Sequence, residues 1–258
     1  MTQADPAPKN PAPPESAAPG AWRAISAEAL AEILKAHRRY LETDRKEGAR
    51  ADLSVADLAG RDLSRQVLRR ARFDHARLCN ANLAHANLRR ANLIGADLAH
   101  ARLEGADLEG ARLSGANLVA ARLDGAVLVG ADVEFARLAE ASVRRARLRG
   151  ADLSGVNLDG ADLSGADLRE VNLRGASLRG ARLDGVDLRA ARVDGAFLDG
   201  ASARGADLRG AYLRVARLDG ADLAVADLRD AQGLVRSQLA HARDLTGARL
   251  PTDLAGKG

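Results

Sequence analysis

The sequence predicts an all-β solenoid, a rod assembled from short extended sides and tight corners. Three observations predict it. From Ala51 to Asp230 one five-residue phrase runs 36 times without insertion or deletion. Its third residue is Leu in 31 units, and its first is Ala in 31. Its fifth is most often Gly, as at Gly95, Gly105, Gly110, Gly115 and Gly125.

Each observation dictates a piece of geometry. A helix turns about 100° per residue, so residues five apart would spray around it and the Leu series could form no face. In an extended segment, residues two apart point the same way. The first and third positions therefore face inward together. The second and fourth, which carry Asp, Asn, Arg or Ser, face outward. Gly at the fifth position permits the positive φ of a tight corner, and Asp124-Gly125, Asp184-Gly185 and Asp219-Gly220 suit such turns.

These A(D/N)LxG units resemble the pentapeptide-repeat family over about 180 of the 258 residues. The resemblance implies a right-handed parallel β-helix of square section, with four pentads to a coil. Residues 51–230 then make nine four-sided coils, a rod roughly 40 Å long at a strand spacing of ~4.8 Å. Each central Leu stacks on the Leu 20 residues away. The column of Leu83, Leu103, Leu123, Leu163 and Leu183 is core, at about 1.5–3 kcal/mol for each fully buried side chain.

Departures inside the repeat are expected to be local. Arg61 and Gln66 occupy inward positions of the first coil, where burying an unpaired charge is costly. That coil is expected to be irregular, with both side chains escaping toward the open end. Val156, Val171 and Val186 add volume, and Val193 and Ala203 remove it, in changes that interiors tolerate best when they compensate locally.

An open β-stack needs covers at both ends. Residues 21–50 supply one: Ser26 is a candidate N-cap for an amphipathic helix over Ala27–Thr43, with Leu30, Ile33, Leu34, His37 and Leu41 on one face. Trp22 precedes it and can pack on its start. At the back the register breaks at Gln232-Gly233-Leu234, and residues 231–258 form a second cap with a short helix from Ser237 to about Ala242. Residues 1–20, which hold six of the seven Pro, read as a disordered Pro/Ala-rich tail. The start lacks the basic and apolar regions of a signal peptide, and no stretch reaches membrane-span length. With a single Cys79 and hence no internal disulfide, a cytoplasmic location is the expectation.

Composition narrows the function classes. The net charge is +4, and within 51–230 the 27 Arg oppose 26 Asp plus Glu. Charges so interspersed, with aromatic residues at 2%, argue against nucleic-acid binding. No phosphate loop, dinucleotide fingerprint or H-E-x-x-H motif occurs, and a convex rod offers no concave site for a general acid and base. No enzyme and no cofactor are expected. His75, His85 and His100 fall at corners of three different sides, so no shared metal site is expected either, and Cys79 reads as an incidental outward thiol.

Stacking the sequence every 20 residues exposes two columns. Arg69, Arg89, Glu109, Val129, Arg149, Arg169, Arg189, Arg209 and Arg229 form one, flanked in its later half by Asp167, Asp187, Asp207 and Asp227. Arg149, Arg169, Arg189, Arg209 and Arg229 form a candidate partner-binding stripe or, more simply, a surface ion-pair lattice. The second column is apolar: Ala59, Cys79, Ala99, Val119 and Ala139, with Ala120 alongside and Phe135, Phe197 and Tyr212 as outward aromatics nearby.

The sequence thus reads as a non-catalytic scaffold for protein–protein interaction, partner unidentified. The resemblance supplies an alternative, since some members mimic duplex DNA, bind DNA gyrase and protect it from quinolones. That mimicry needs an acidic rod, whereas here the first two sides sum only to −1 and −2 and an Arg stripe runs along the fourth. The resemblance also permits a homodimer through the C-terminal cap.

Overall fold

A computed structural model describes residues 22–254; the tail assigned to residues 1–20 lies outside the described residues. The backbone hydrogen bonds show how five residues become one side of a coil. The amide of position three donates to the next coil, as Leu53 does to the Arg72 carbonyl (2.8 Å), and that of position five does likewise, Val55 to Asp74 (2.9 Å). The amide of position two donates backward, Arg72 to Ala51 (2.9 Å), and that of position one closes the corner, Ala56 to Leu53 (3.2 Å). Parallel bridges link residues 20 apart, from Asp52 with Arg72 to Tyr212 with Gln232, which makes the coil four-sided.

The fifth residue of every one of the 36 units has positive φ. Nineteen are glycine, and seventeen are not, with φ between 53° and 61°. The corner geometry is therefore imposed by the stack and tolerated by side chains as unsuited to it as Val55, Val215 and Val225. Three ring-bearing corner residues lie over a glycine one coil on. His75 covers Gly95, His85 covers Gly105 and Phe135 covers Gly155, where an added Cβ would fall 2.5–2.6 Å from the covering ring.

Apart from Arg61 and Gln66, which are half-buried, the inward positions of the repeat are sealed. Leu83, Leu103, Leu123, Leu163 and Leu183 have no exposed surface, and Phe73 is accommodated in the same core. Volume changes there are felt at the corners: the closing bond lengthens from the usual 3.0 Å to 3.2, 3.3 and 3.2 Å at Val156, Val171 and Val186.

The expected irregularity of the first coil is not found. All four of its sides make regular bridges, at Asp52, Asp57, Asp62 and Val67. The ladder uses only backbone groups, so a polar inward side chain does not break it. Arg61 turns toward the open end, as expected, and donates to the Ile25 carbonyl of the cap (2.8 Å).

Arg23–Ala24 (β1) extends the stack by pairing in parallel with Ala56–Asp57 (β2). The helix Ala27–Glu42 (α1) follows, with Ser26 accepting the Ala29 amide (3.1 Å). Trp22 donates to the His75 carbonyl (3.1 Å), and its ring stacks under the Arg77 guanidinium. His37 on α1 is fully buried, and its Nδ1 accepts the amide of Ala51, the first residue of the repeat (3.1 Å).

At the far end Arg236–Leu239 (α2) replaces the second side of a tenth coil. Ser237 lies inside α2 rather than capping it. Val235 is the N-cap, and Gln238 does the bonding: it accepts the Val235 amide and donates to the Leu213 and Ala216 carbonyls, all at 2.8 Å. The chain then rejoins the stack two residues out of register, pairing Asp222 with Asp244 and Asp227 with Arg249.

Candidate functional site

The position-four amide is the one backbone donor that the coil leaves over. At all nineteen Asp or Asn residues in position two, the side chain accepts it from two residues on, at 2.9–3.4 Å. Where position two is Ser, an Asp in position four of the preceding coil substitutes. Asp124, Asp159 and Asp184 each accept both the hydroxyl of that Ser (Ser142, Ser177, Ser202) and the amide of Arg144, Arg179 or Arg204. The recurring acidic residues are thus backbone caps first.

The Arg stripe of the fourth side is built on these caps. Asp167 holds the Arg169 guanidinium in a two-pronged grip, Nε and Nη2 each at 2.7 Å, and Asp187 with Arg189, Asp207 with Arg209 and Asp227 with Arg229 repeat it. Each of the first three guanidinium groups also reaches the Asp of the next coil, at 3.6, 3.6 and 4.0 Å. The Arg209 and Arg229 guanidiniums hold the Asp207 and Asp227 carboxyls below the usual range, Asp227 at about 2. Arg149, with Arg147 in place of an Asp, crosses the corner to Glu170 (2.8 Å).

The other sequence candidates stay apart. Ala59, Cys79, Ala99, Val119 and Ala139 line the second side as half-buried small residues. Phe197 lies beneath the Arg179 and Arg217 guanidiniums, at 4.4 and 5.7 Å, whereas Phe135 is 68% exposed. Among the described residues no group of three His, Cys, Asp or Glu could hold a metal.

A concavity of about 570 Å³ escaped sequence reasoning. It lies on the first side near the C-terminal end, lined by Arg192, Tyr212, Arg214 and Gln232, with Glu170 at the neighbouring corner and Arg174 and Asp194 below Arg214 in its own column. Tyr212 was noted only as an outward aromatic. The missed signal was its spacing, since it stands two residues before Arg214, where the fourth side has Asp.

The family model agrees with this architecture. A model of pentapeptide repeats matches in eight copies, its segments running from 49–83 to 206–232. No curated protein matches. Among solved structures the chain is similar to HetL, a pentapeptide repeat protein involved in heterocyst differentiation regulation from the cyanobacterium Nostoc sp. strain PCC 7120: 31% identity over 88% of this chain and 93% of that one, TM-score 0.48. It is also similar to QnrB1, a plasmid-mediated fluoroquinolone resistance protein (22% identity, 77% and 91% covered, TM-score 0.43). A third is a pentapeptide repeat protein of the Arabidopsis thaliana thylakoid lumen (35% identity, 43% and 70% covered, TM-score 0.33). With its repeat matched almost end to end, the chain belongs to the pentapeptide-repeat family, whose fold is the right-handed quadrilateral β-helix.

Proposed function

We propose that the chain is a non-catalytic scaffold, a stiff rod whose outward columns meet a protein partner. One observation carries the reading: the backbone ladder repeats from coil to coil around a sealed apolar core, so what a partner can distinguish between coils lies in their outward side chains. A cytoplasmic location belongs to the proposal, in keeping with the lone thiol of Cys79. So does a homodimer through the C-terminal cap, where Leu245, Ala248 and Leu250 are only partly buried.

Within this proposal the stripe of Arg149, Arg169, Arg189, Arg209 and Arg229 is a surface lattice rather than the partner site. What supports this is that four of the five guanidiniums are neutralised by an Asp two residues away. A mimic of duplex DNA gains no support from sides that sum to −1 and −2.

Cross-linking and pull-down with the full chain in host extract tests the scaffold: a partner recovered saturably is the expected result, and none recovered overturns it. Supercoiling by gyrase, with or without a quinolone, is expected to be indifferent to the chain at micromolar concentration. Inhibition or protection would replace this reading with the gyrase-directed one.

A further inference from the structure

We infer that the groove at Arg192, Tyr212 and Arg214 is the partner-binding site, and that it takes an extended acidic segment carrying two carboxylates in an E-x-E spacing. The inference rests on the scaffold reading and adds to it a location and a chemistry.

Charge is the first support. Glu170 at the neighbouring corner is engaged by Arg149, and Asp194 by Arg174 at 3.4 Å. Arg192 and Arg214 make no ion pair among the described residues, and Asp194, one coil below Arg214 in the same column, is already engaged, so the groove holds two guanidiniums without an acidic partner of their own. Both are exposed. On the fourth side the guanidiniums of the same coils, Arg209 and Arg229, are satisfied at home.

Spacing is the second. Arg192 is bridged to Tyr212, one coil on, and Arg214 stands two residues beyond Tyr212 on the same outward face. The two cations therefore sit diagonally, about 7–8 Å apart at their bases. Alternate residues of an extended peptide point the same way, about 6.6 Å apart. Two carboxylates at that spacing meet both guanidiniums, each suited to a two-pronged grip. Tyr212, 40% exposed between them, offers ring surface to the intervening residue and a hydroxyl to its backbone. Arg and Tyr together are the composition of interface hot spots. A nucleic acid fits less well, because a continuous phosphate chain would run onto Glu170 and Asp194.

The test uses the full chain and fluorescein-labelled peptides of sequence GSELESG, with GSKLKSG and the closed-up GSEELSG as comparisons, read by fluorescence polarisation. Saturable binding of the E-x-E peptide is expected, weaker for the adjacent pair, absent for the Lys peptide and declining with salt. Arg192→Ser with Arg214→Ser, or Tyr212→Ala alone, should weaken it at least about ten-fold. Arg169→Ser with Arg189→Ser should leave it unchanged, with melting curves confirming that each variant folds. Equal loss in both Arg pairs, no saturation, or displacement by millimolar succinate would each overturn the site. Host pull-down with the Arg192→Ser, Arg214→Ser variant separates the two claims: a captured partner unaffected by the variant sinks the groove and leaves the scaffold standing, while no partner for either protein sinks the scaffold.

Discussion

Removing Asp184 tests whether position-four amides are capped by necessity. Its Oδ1 accepts the Ser202 hydroxyl at 2.5 Å and the Arg204 amide at 3.1 Å. Hydrogen bonds to a charged acceptor are worth ~1.5–3 kcal/mol each when protected, but this site is half-exposed and water can replace part of the loss. We expect Asp184→Ala to cost about 1–2 kcal/mol, or about 2–8 °C in thermal midpoint for a chain of this size. The decisive arm is rescue. At nineteen other units an Asp or Asn in position two performs the same task from the same coil, so Ser202→Asn should supply it here. Alone that change should be close to neutral, and in the Asp184→Ala background it should recover at least about half of the loss. Circular dichroism melts give the cycle, and amide exchange at Arg204 reports the bond itself. An unchanged midpoint in Asp184→Ala, or a loss that Ser202→Asn does not reduce, refutes the capping argument.

Corner strain predicts opposite signs for two substitutions. Val225→Gly, at φ 61° and 66% exposed, should stabilise by about 0.5–1 kcal/mol in denaturant titration. Gly155→Ala should destabilise by more than about 1 kcal/mol, because its Cβ would meet the Phe135 ring at 2.5 Å, and Phe135→Gly should relieve it. Arg229→Gln should raise the Asp227 carboxyl from about 2 toward its ordinary range in a carboxyl-detected NMR titration. Since the folded value is depressed, the stability Asp227 contributes is present above the ordinary carboxylate pKa near 3.8 and is lost as pH falls toward 2. For His37 burial lowers the folded pKa below its ordinary 6.5, so protonation favours the unfolded cap, and the docking of α1 should weaken as pH drops below 6.5. Amide exchange of Ala51 between pH 7.5 and 5 checks this, and His37→Leu should abolish the pH step.

The fold was legible because its two inward columns are apolar and strictly spaced. A period of five is incommensurate with a helix face, and alternation then leaves only one inward assignment. The positive φ at Gly corners was legible for the same local reason; its extension to Val215 or Phe135 was not, because stacking overrides what those residues prefer alone. Reasoning from charge burial misjudged the first coil, as it treated Arg61 as a threat to a ladder that side chains do not join. The strand at Arg23–Ala24 carries no period of its own and is fixed only by the edge it covers. Ser237 looked like a cap by residue type, whereas Gln238 wins by reaching two carbonyls of the coil beneath. The Arg stripe was visible as a column, but the grip of Asp on Arg is a relation between positions two and four of one unit.

That relation also says what would close the groove. Asp227 and Arg229 on the fourth side stand as Tyr212 and Arg214 stand on the first, in the same coil and at the same two positions. Tyr212→Asp should therefore cap the Arg214 amide, draw its guanidinium into the two-pronged grip seen four times on the fourth side, and supply a carboxylate to Arg192 below. The variant should be at least as stable as the natural chain, since it adds a backbone cap and a surface ion pair of about 0–1 kcal/mol. It should also lose E-x-E peptide binding, because both cations would be spent internally. A stable variant that still binds the peptide would mean that the two guanidiniums are not what the ligand reads. On the fourth side the position-two Asp holds its Arg at home, and a partner can be recognised where that Asp is left out.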